Sequence, residues 1–309
     1  MQAKTMMPVF YGTDRNRTDS SKPAQFYGLN RGEFEYGVAQ VSLDESKTRL
    51  KSVTPLTREL FLEKLNDALG TTAVPVAMVF VHGYNRSFNQ TGKLIAEFVE
   101  NTEFQGLPII WSWPSSRNPA GYLEDQTNMR WSQPHLSEFL RAVIEDSRAK
   151  TVHLVGHSMG AWGLINAVLH GLLRENIDMS KVGELVLLAP DIDLEIFSRD
   201  LAPQLTAAGL STTLYTSAND KAMASAYALN GYPRAGDSSD GPVIVPGIDT
   251  VDATETNNSI LGHSYFEESD IVSKDIVRLL NERKSASSRP GMVAVNTPGG
   301  IYWQLVVEH

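Results

Sequence analysis

The sequence predicts an α/β fold, a mostly parallel sheet with helices on both faces, and two observations carry that expectation. Short β-branched and apolar runs alternate with stretches whose apolar residues recur at helical spacing through most of the 309 residues. The strand-like runs are also halted by glycine, proline or polar residues, as strands feeding loops are. A chain of this length can bury one large core. Residues 1–283 therefore read as one domain, and residues 284–309 as a linker and C-terminal β-hairpin packed on it.

Taken in order, residues 8–13 and 34–43 read as early strands forming an antiparallel edge, punctuated by Gly12, Gly28, Gly32 and Gly37. A helix is expected over 55–69, with Thr54 as N-cap, Pro55 at the first helical position and Gly70 as the stop. Residues 74–81 form the first strongly buried strand, broken by His82-Gly83-Tyr84-Asn85, and Leu94, Ile95, Phe98 and Val99 mark the apolar face of the next helix. The strand over 107–113 ends at Pro114, and Pro134 opens a helix whose face is Leu136, Phe139, Leu140, Val143 and Ile144. Further strands are expected over 151–155, 184–189, 212–216 and 249–252, with a last helix over 267–282. Residues 284–291, rich in Ser, Lys and Arg, read as a solvated linker. Beyond them 292–295 and 301–307 flank Thr297-Pro298-Gly299-Gly300 as a hairpin, which could cover a sheet edge, contact a second subunit or sit near an active-site mouth.

Composition excludes several classes of function. With 42% hydrophobic and 20% charged residues the chain is ordinary globular material, and a net charge of −9 without a Lys/Arg cluster argues against nucleic acid as a partner. No cysteine is present, which removes disulfides, thiolate nucleophiles and cysteine-ligated metals. No HExxH or close His/Asp ligand pair appears, so no metal is expected. The N-terminus lacks the apolar core of a signal peptide, and the longest apolar run, 73–81, is too short to span a bilayer. No transmembrane segment is expected; a cytoplasmic location is the default, with periplasm or secretion open if a signal was removed.

The chemistry is carried by Gly156-His157-Ser158-Met159-Gly160, a GxSxG pentapeptide between the strand over 151–155 and a helix marked by Ala161, Leu164, Ile165, Val168 and Leu172. It reads as a nucleophile elbow, in which a sharp strand-to-helix turn exposes the serine hydroxyl and the helix N-terminus faces developing negative charge. The plainer alternative makes Ser158 a helix N-cap. A serine nucleophile needs a general base and a carboxylate to orient it, and in α/β-hydrolases the chain order is Ser, then Asp or Glu, then His. Of seven histidines only His263 and the terminal His309 lie beyond the later strands, so His263 is the candidate base. Asp220, after the strand over 212–216, is the preferred acid, with Asp191 one strand earlier as its competitor and a helix N-cap as the plain role of either. The backbone N–H groups of Tyr84 and Met159 are the expected oxyanion hole. His82 and His157 read as structural.

Trp113 and Tyr122, with Trp111 and Trp131, lie in or beside the segment 114–133 that also holds Arg117 and Asp125. They either line a substrate pocket or anchor core and loop. Tyr227, Tyr232 and Arg234 form a second candidate wall, and no long cap insertion separates Ala189 from Thr212, so an open cleft is expected.

Together, His82-Gly83-Tyr84-Asn85 with Ser87-Phe88, Ser112-Trp113-Pro114-Ser115, His157-Ser158-Met159-Gly160, Ala189-Pro190-Asp191-Ile192-Asp193, Asn219-Asp220-Lys221-Ala222 and Gly262-His263-Ser264-Tyr265-Phe266 resemble a bacterial α/β-hydrolase family of esterase/lipase-like proteins formerly of unknown function. Tyr11-Gly12-Thr13-Asp14-Arg15-Asn16 looks like that family's opening strand and loop, so the likeness covers roughly residues 8–280. The resemblance implies a carboxylesterase acting on small-molecule esters of short to medium acyl chain, with Ser158, Asp220 and His263 as triad and no cofactor. Many relatives carry secretion or lipoprotein signals, which leaves the compartment open. Thioesterase, acyltransferase or amidase chemistry would use the same triad, and a non-catalytic ligand-binding module is the alternative from another class. Oligomeric state is open, and the hairpin does not map onto the family.

Overall fold

The computed structural model describes residues 5–44, 47–118, 120–256 and 269–306. They group into two compact units, Met1–His153 with Asn166–Lys181, and Leu154–Ile165 with Val182–His309.

In the first unit the strands run in the order β4 (Val76–Val81), β5 (Leu107–Ser112), β1 (Thr5–Arg17), β2 (Tyr27–Leu43), β3 (Arg49–Leu56). β4 and β1 flank β5 in parallel, while β1, β2 and β3 pair antiparallel, which is the expected early edge with one strand more. β1 and β2 run well beyond the expected bounds, pairing from Thr5 opposite Leu43 to Arg17 opposite Tyr27. Their outer halves are polar and irregular in register, so no alternation announces them. At Gly32 a Cβ would stand 2.5 Å from the Asn16 backbone, a close approach that only glycine allows in the irregular stretch.

The α-helices of this unit, among the described residues, are α1 (Arg58–Thr71), α2 (Phe88–Thr102) and α3 (Tyr122–Arg141). Pro55 and Leu56 end β3 instead of opening a helix, and Thr57 is the true N-cap of α1, accepting from Leu60 N–H. Gly70 does not stop α1, which continues through Thr71. Ser87 and Gln90 form a capping box at α2. The larger correction concerns α3, which starts at Tyr122 and carries Pro134 inside it. Its buried stripe, Tyr122, Asp125, Asn128, Met129, Ser132, is largely polar, which hides the helical period from a reading based on apolar residues.

In the second unit the order is β10 (Met292–Thr297), β11 (Gly300–Leu305), β9 (Ile248–Asp252), β8 (Ser211–Thr216), β7 (Val182–Leu188), β6 (Thr151–His157), with β6 entering this unit at Leu154. β7, β8 and β9 are parallel, and β11 joins β9 in parallel while pairing antiparallel with β10. The C-terminal hairpin therefore covers the edge of β9. The helices are α4 (Met159–Asn166), α5 (Leu194–Ile196), α6 (Ala202–Ala207), α7 (Lys221–Asn230) and α8 (Asp270–Glu282), with a π-helical turn, Phe197–Leu201, between α5 and α6. Among the described residues no helix is long and apolar enough to cross a membrane.

Most of residues 284–291 are exposed, but two of them are buried and fasten the segment. Ala286 is buried and donates its N–H to Asp249 Oδ2 at 2.9 Å. The buried Arg289 donates through Nη1 to Tyr215 Oη and Asp275 Oδ2, both at 2.8 Å, and Tyr215 Oη donates to the same carboxylate at 2.6 Å. Burial pushes the Asp275 carboxyl up, with Arg289 pulling it the other way. Truncating one member of such a pair leaves an uncompensated buried charge. Arg289→Ala is expected to lower stability by about 3–5 kcal/mol, measured by urea unfolding followed by circular dichroism.

Candidate active site

Ser158 lies between the end of β6 and the start of α4 with φ at +54°, in the left-handed region, and is 2% exposed. An N-cap serine has extended backbone, as Ser87 has with φ −94° and ψ 164°; Ser158 does not share that conformation. Its N–H donates to Leu188 O at 2.9 Å, and its own carbonyl accepts from Ala161 N–H at 3.0 Å. A Cβ on Gly156 would stand 2.6 Å from Ala161 Cα, so glycine is what lets the strand and the following helix close so tightly. Met159, the first residue of α4, is buried.

The two candidate acids differ in their surroundings. Asp220 leaves the end of β8 and caps α7, its Oδ1 accepting from Ala222 N–H and Met223 N–H at 3.0 Å each. Asp191 follows β7 and is held by a cation: Arg234 Nε donates to its Oδ1 at 2.7 Å, and Arg234 Nη2 to its backbone carbonyl at 3.0 Å. Arg234 is thereby buried as the partner of Asp191 and is no substrate wall. Tyr232 is 62% exposed and Tyr227 is exposed beside it in sequence. His263 lies outside the described residues.

In the first unit, the loop after β4 and the loop after β5 are tied together by buried polar groups. His82 donates Nδ1–H to Gly83 O at 2.7 Å, which leaves Nε2 to accept from Arg15 Nη2 at 3.3 Å and from Ser112 Oγ at 3.4 Å. Burial, with the Arg15 charge adding to it, holds His82 well below the ordinary imidazole range, so it is a neutral structural group. Trp113 is 0% exposed, stacks on His82 at 5.1 Å and donates its indole N–H to His82 O at 2.7 Å. It is a loop anchor and presents no surface to a substrate. Tyr84 rests edge-on against Tyr122 at 5.8 Å and donates its hydroxyl to Asn118 O at 3.0 Å. Asp125, from α3, accepts from Ser115 Oγ at 2.5 Å and from Ser116 N–H at 2.8 Å.

Two groups here escaped the sequence reading of function. Arg15 reaches five acceptors, and burial pulls its guanidinium down to about 9, with Asp14 and Asp125 acting against that. His135, on α3, meets the buried Asp14 at 3.2 Å, and that hydrogen bond raises its pKa. Asp14-Arg15 stood in the sequence inside the opening strand and loop Tyr11–Asn16, which carried a resemblance but no role, and charged residues in a strand usually point to solvent. Among the described residues no three His, Asp or Glu side chains gather as a metal cage.

A mostly parallel sheet carrying a serine in a left-handed turn between strand and helix defines an α/β-hydrolase. A family model described as alpha/beta hydrolase of unknown function (DUF900) matches residues 58–283, and the chain belongs to that family. Among solved structures, a predicted CIB-like hydrolase from Thermoplasma acidophilum is similar at 11% identity and TM-score 0.42, covering 90% of this chain and 100% of that one. A serine hydrolase without lid from Xanthomonas campestris is similar at 13% identity and TM-score 0.42, covering 90% and 94%. A carboxylesterase from Bacillus subtilis is similar at 12% identity and TM-score 0.39, covering 82% and 90%. No curated protein matches the chain.

Two histidines of the first unit, His82 and His135, push stability in opposite directions with pH. His82 has a lowered folded pKa, so the unfolded state takes up the proton first and its contribution is lost as pH falls below about 6.5. His135 has a raised folded pKa, so its contribution is present below about 6.5 and is lost as pH rises through the folded value. Imidazole NMR titration of the native protein is expected to show His135 titrating above the free value and His82 well below it.

Proposed function

We propose that the chain is a carboxylesterase that cleaves esters of short to medium acyl chain by two-step acyl transfer. The observation that carries the reading is the left-handed turn at Ser158, a conformation that a serine with no role has little reason to hold, since it costs of order 1–3 kcal/mol. In this reading Ser158 attacks the ester carbonyl while His263 takes its proton, and the N–H groups of Tyr84 and Met159 receive the oxyanion. His263 then protonates the leaving alcohol, and water activated by the same imidazole releases the acid. Asp220 orients that imidazole. Its carboxylate is held by neutral helix N–H groups, whereas Asp191 already answers a buried guanidinium; this contrast supports Asp220 over its competitor. Tyr232, with its exposed ring, is proposed to meet the substrate, and Tyr122, buried edge-on against Tyr84, to back the loop that presents the Tyr84 N–H.

Treatment with a fluorophosphonate probe is expected to label Ser158, and Ser158→Ala is expected to abolish hydrolysis of p-nitrophenyl esters; full turnover by that variant would overturn the reading. Asp220→Asn is expected to lower kcat by about 10⁴-fold. Asp191→Ala, by contrast, is expected to destabilise by about 3–5 kcal/mol because it strands Arg234, while kcat per titrated site is retained. The reverse pattern would exchange the roles of the two aspartates. Product analysis with added alcohol, amine or thioester separates hydrolysis of esters from acyl transfer, amidase and thioesterase chemistry.

A further inference from the structure

Arg15 is 1% exposed, and each of its five N–H groups meets an acceptor, none of them a carboxylate. Nε donates to Ser112 Oγ at 2.9 Å, Nη1 to Gly28 O at 3.1 Å and Ser115 O at 3.3 Å, and Nη2 to His82 Nε2 at 3.3 Å and Arg86 O at 2.6 Å. The neighbouring Asp14 turns instead to His135, and Asp125 takes the Ser115 hydroxyl, whereas Arg15 meets the Ser115 carbonyl. A buried cation with no counterion in contact is a costly way to fill space, and apolar side chains of similar volume would fill it at less cost. What the guanidinium does that they could not is grip the loop after β4 at both ends. His82 and Arg86 bracket Gly83-Tyr84-Asn85, and Asn85 is held in the left-handed region with φ at +62°. A planar fork with fixed donor directions sets the path of such a loop in a way that a flexible ammonium does not.

We propose that Arg15 is the positioning residue for the oxyanion site: it fixes the course of the His82–Arg86 segment and thereby the direction of the Tyr84 N–H. The proposal rests on the serine-esterase reading. Its energetic logic is that preorganised donors and fixed charges in a low-dielectric setting stabilise a developing oxyanion without reorganising during the reaction. Arg15 touches no reacting atom and acts through the loop.

The test uses the full chain with p-nitrophenyl acetate, active sites being titrated by the fluorophosphonate. Arg15→Lys retains the charge and loses the fork, and its kcat per titrated site is expected to fall by about 10²-fold with KM little changed and the rate of Ser158 phosphonylation falling in parallel. A residue that only supports the fold would lower the melting temperature and the number of active sites but leave kcat per site at the wild-type value, and that result overturns the proposal. Should Arg15→Lys not fold, Ser112→Ala decides, because it removes one acceptor of the Nε–H. A several-fold drop in kcat per site supports the proposal, and a wild-type value sinks it. Full turnover by Ser158→Ala would instead sink the esterase reading itself, so the two failures are distinguishable.

Discussion

The left-handed backbone at Ser158 is the constraint around which the second unit is organised. A side chain in that region carries strain of order 1–3 kcal/mol, and it persists only where the surroundings over-determine it. Here they do. Ser158 N–H is tied to Leu188 O at the end of β7, and the next residue, Ala189, is itself left-handed with φ at +44° and donates to Tyr215 O at 3.0 Å. Gly236 then closes on this junction so tightly that a Cβ would stand 2.5 Å from the Ala189 backbone, and its carbonyl accepts from Ser217 N–H at 3.2 Å. A chain of backbone hydrogen bonds therefore runs from the serine turn across the ends of β7 and β8 to the segment that delivers Asp220. The strained residues are stitched to one another, which is why none of them relaxes alone.

The first unit solves a different problem with different chemistry. Its loops after β4 and β5 cannot be held by strand pairing, and they are held by buried polar side chains instead: Arg15, His82, Ser112, Ser115 and Asp125. A network of this kind is worth having only when every member is satisfied, because an unpaired buried donor costs more than a made bond returns. Arg15 meets that condition with all five donors engaged. Trp113 seals the arrangement by stacking on His82 and bonding to its carbonyl, so this aromatic serves the loop geometry.

The C-terminal segment is also fastened by a buried arginine. Arg289 enters the interior beside Tyr215 and Asp275, and the hairpin that follows lies along β9. A run of Ser, Lys and Arg looks solvated in sequence because those residues usually are. One buried arginine is enough to turn it into a tether.

What the sequence determined by itself was whatever depends on local chemistry and period. The parallel strands, α2, α8, the hairpin at Pro298-Gly299 and the strand-to-helix turn at Ser158 all follow from short-range patterns of apolar, β-branched and glycine residues. Tertiary structure decided whatever depends on a buried polar partner. α3 begins at Tyr122 because Asp125, Asn128 and Ser132 find partners in β5 and the loop that follows it, pairings that no apolar period announces. Thr57 caps α1 because Pro55 is already taken up in the pairing of β3 with β2. Asp191 and Asp220 look equivalent in sequence, each an aspartate after a strand, and only the approach of Arg234 to one of them sets them apart. Burial of a charge is favourable only with its partner in place, and the partner is chosen by the fold.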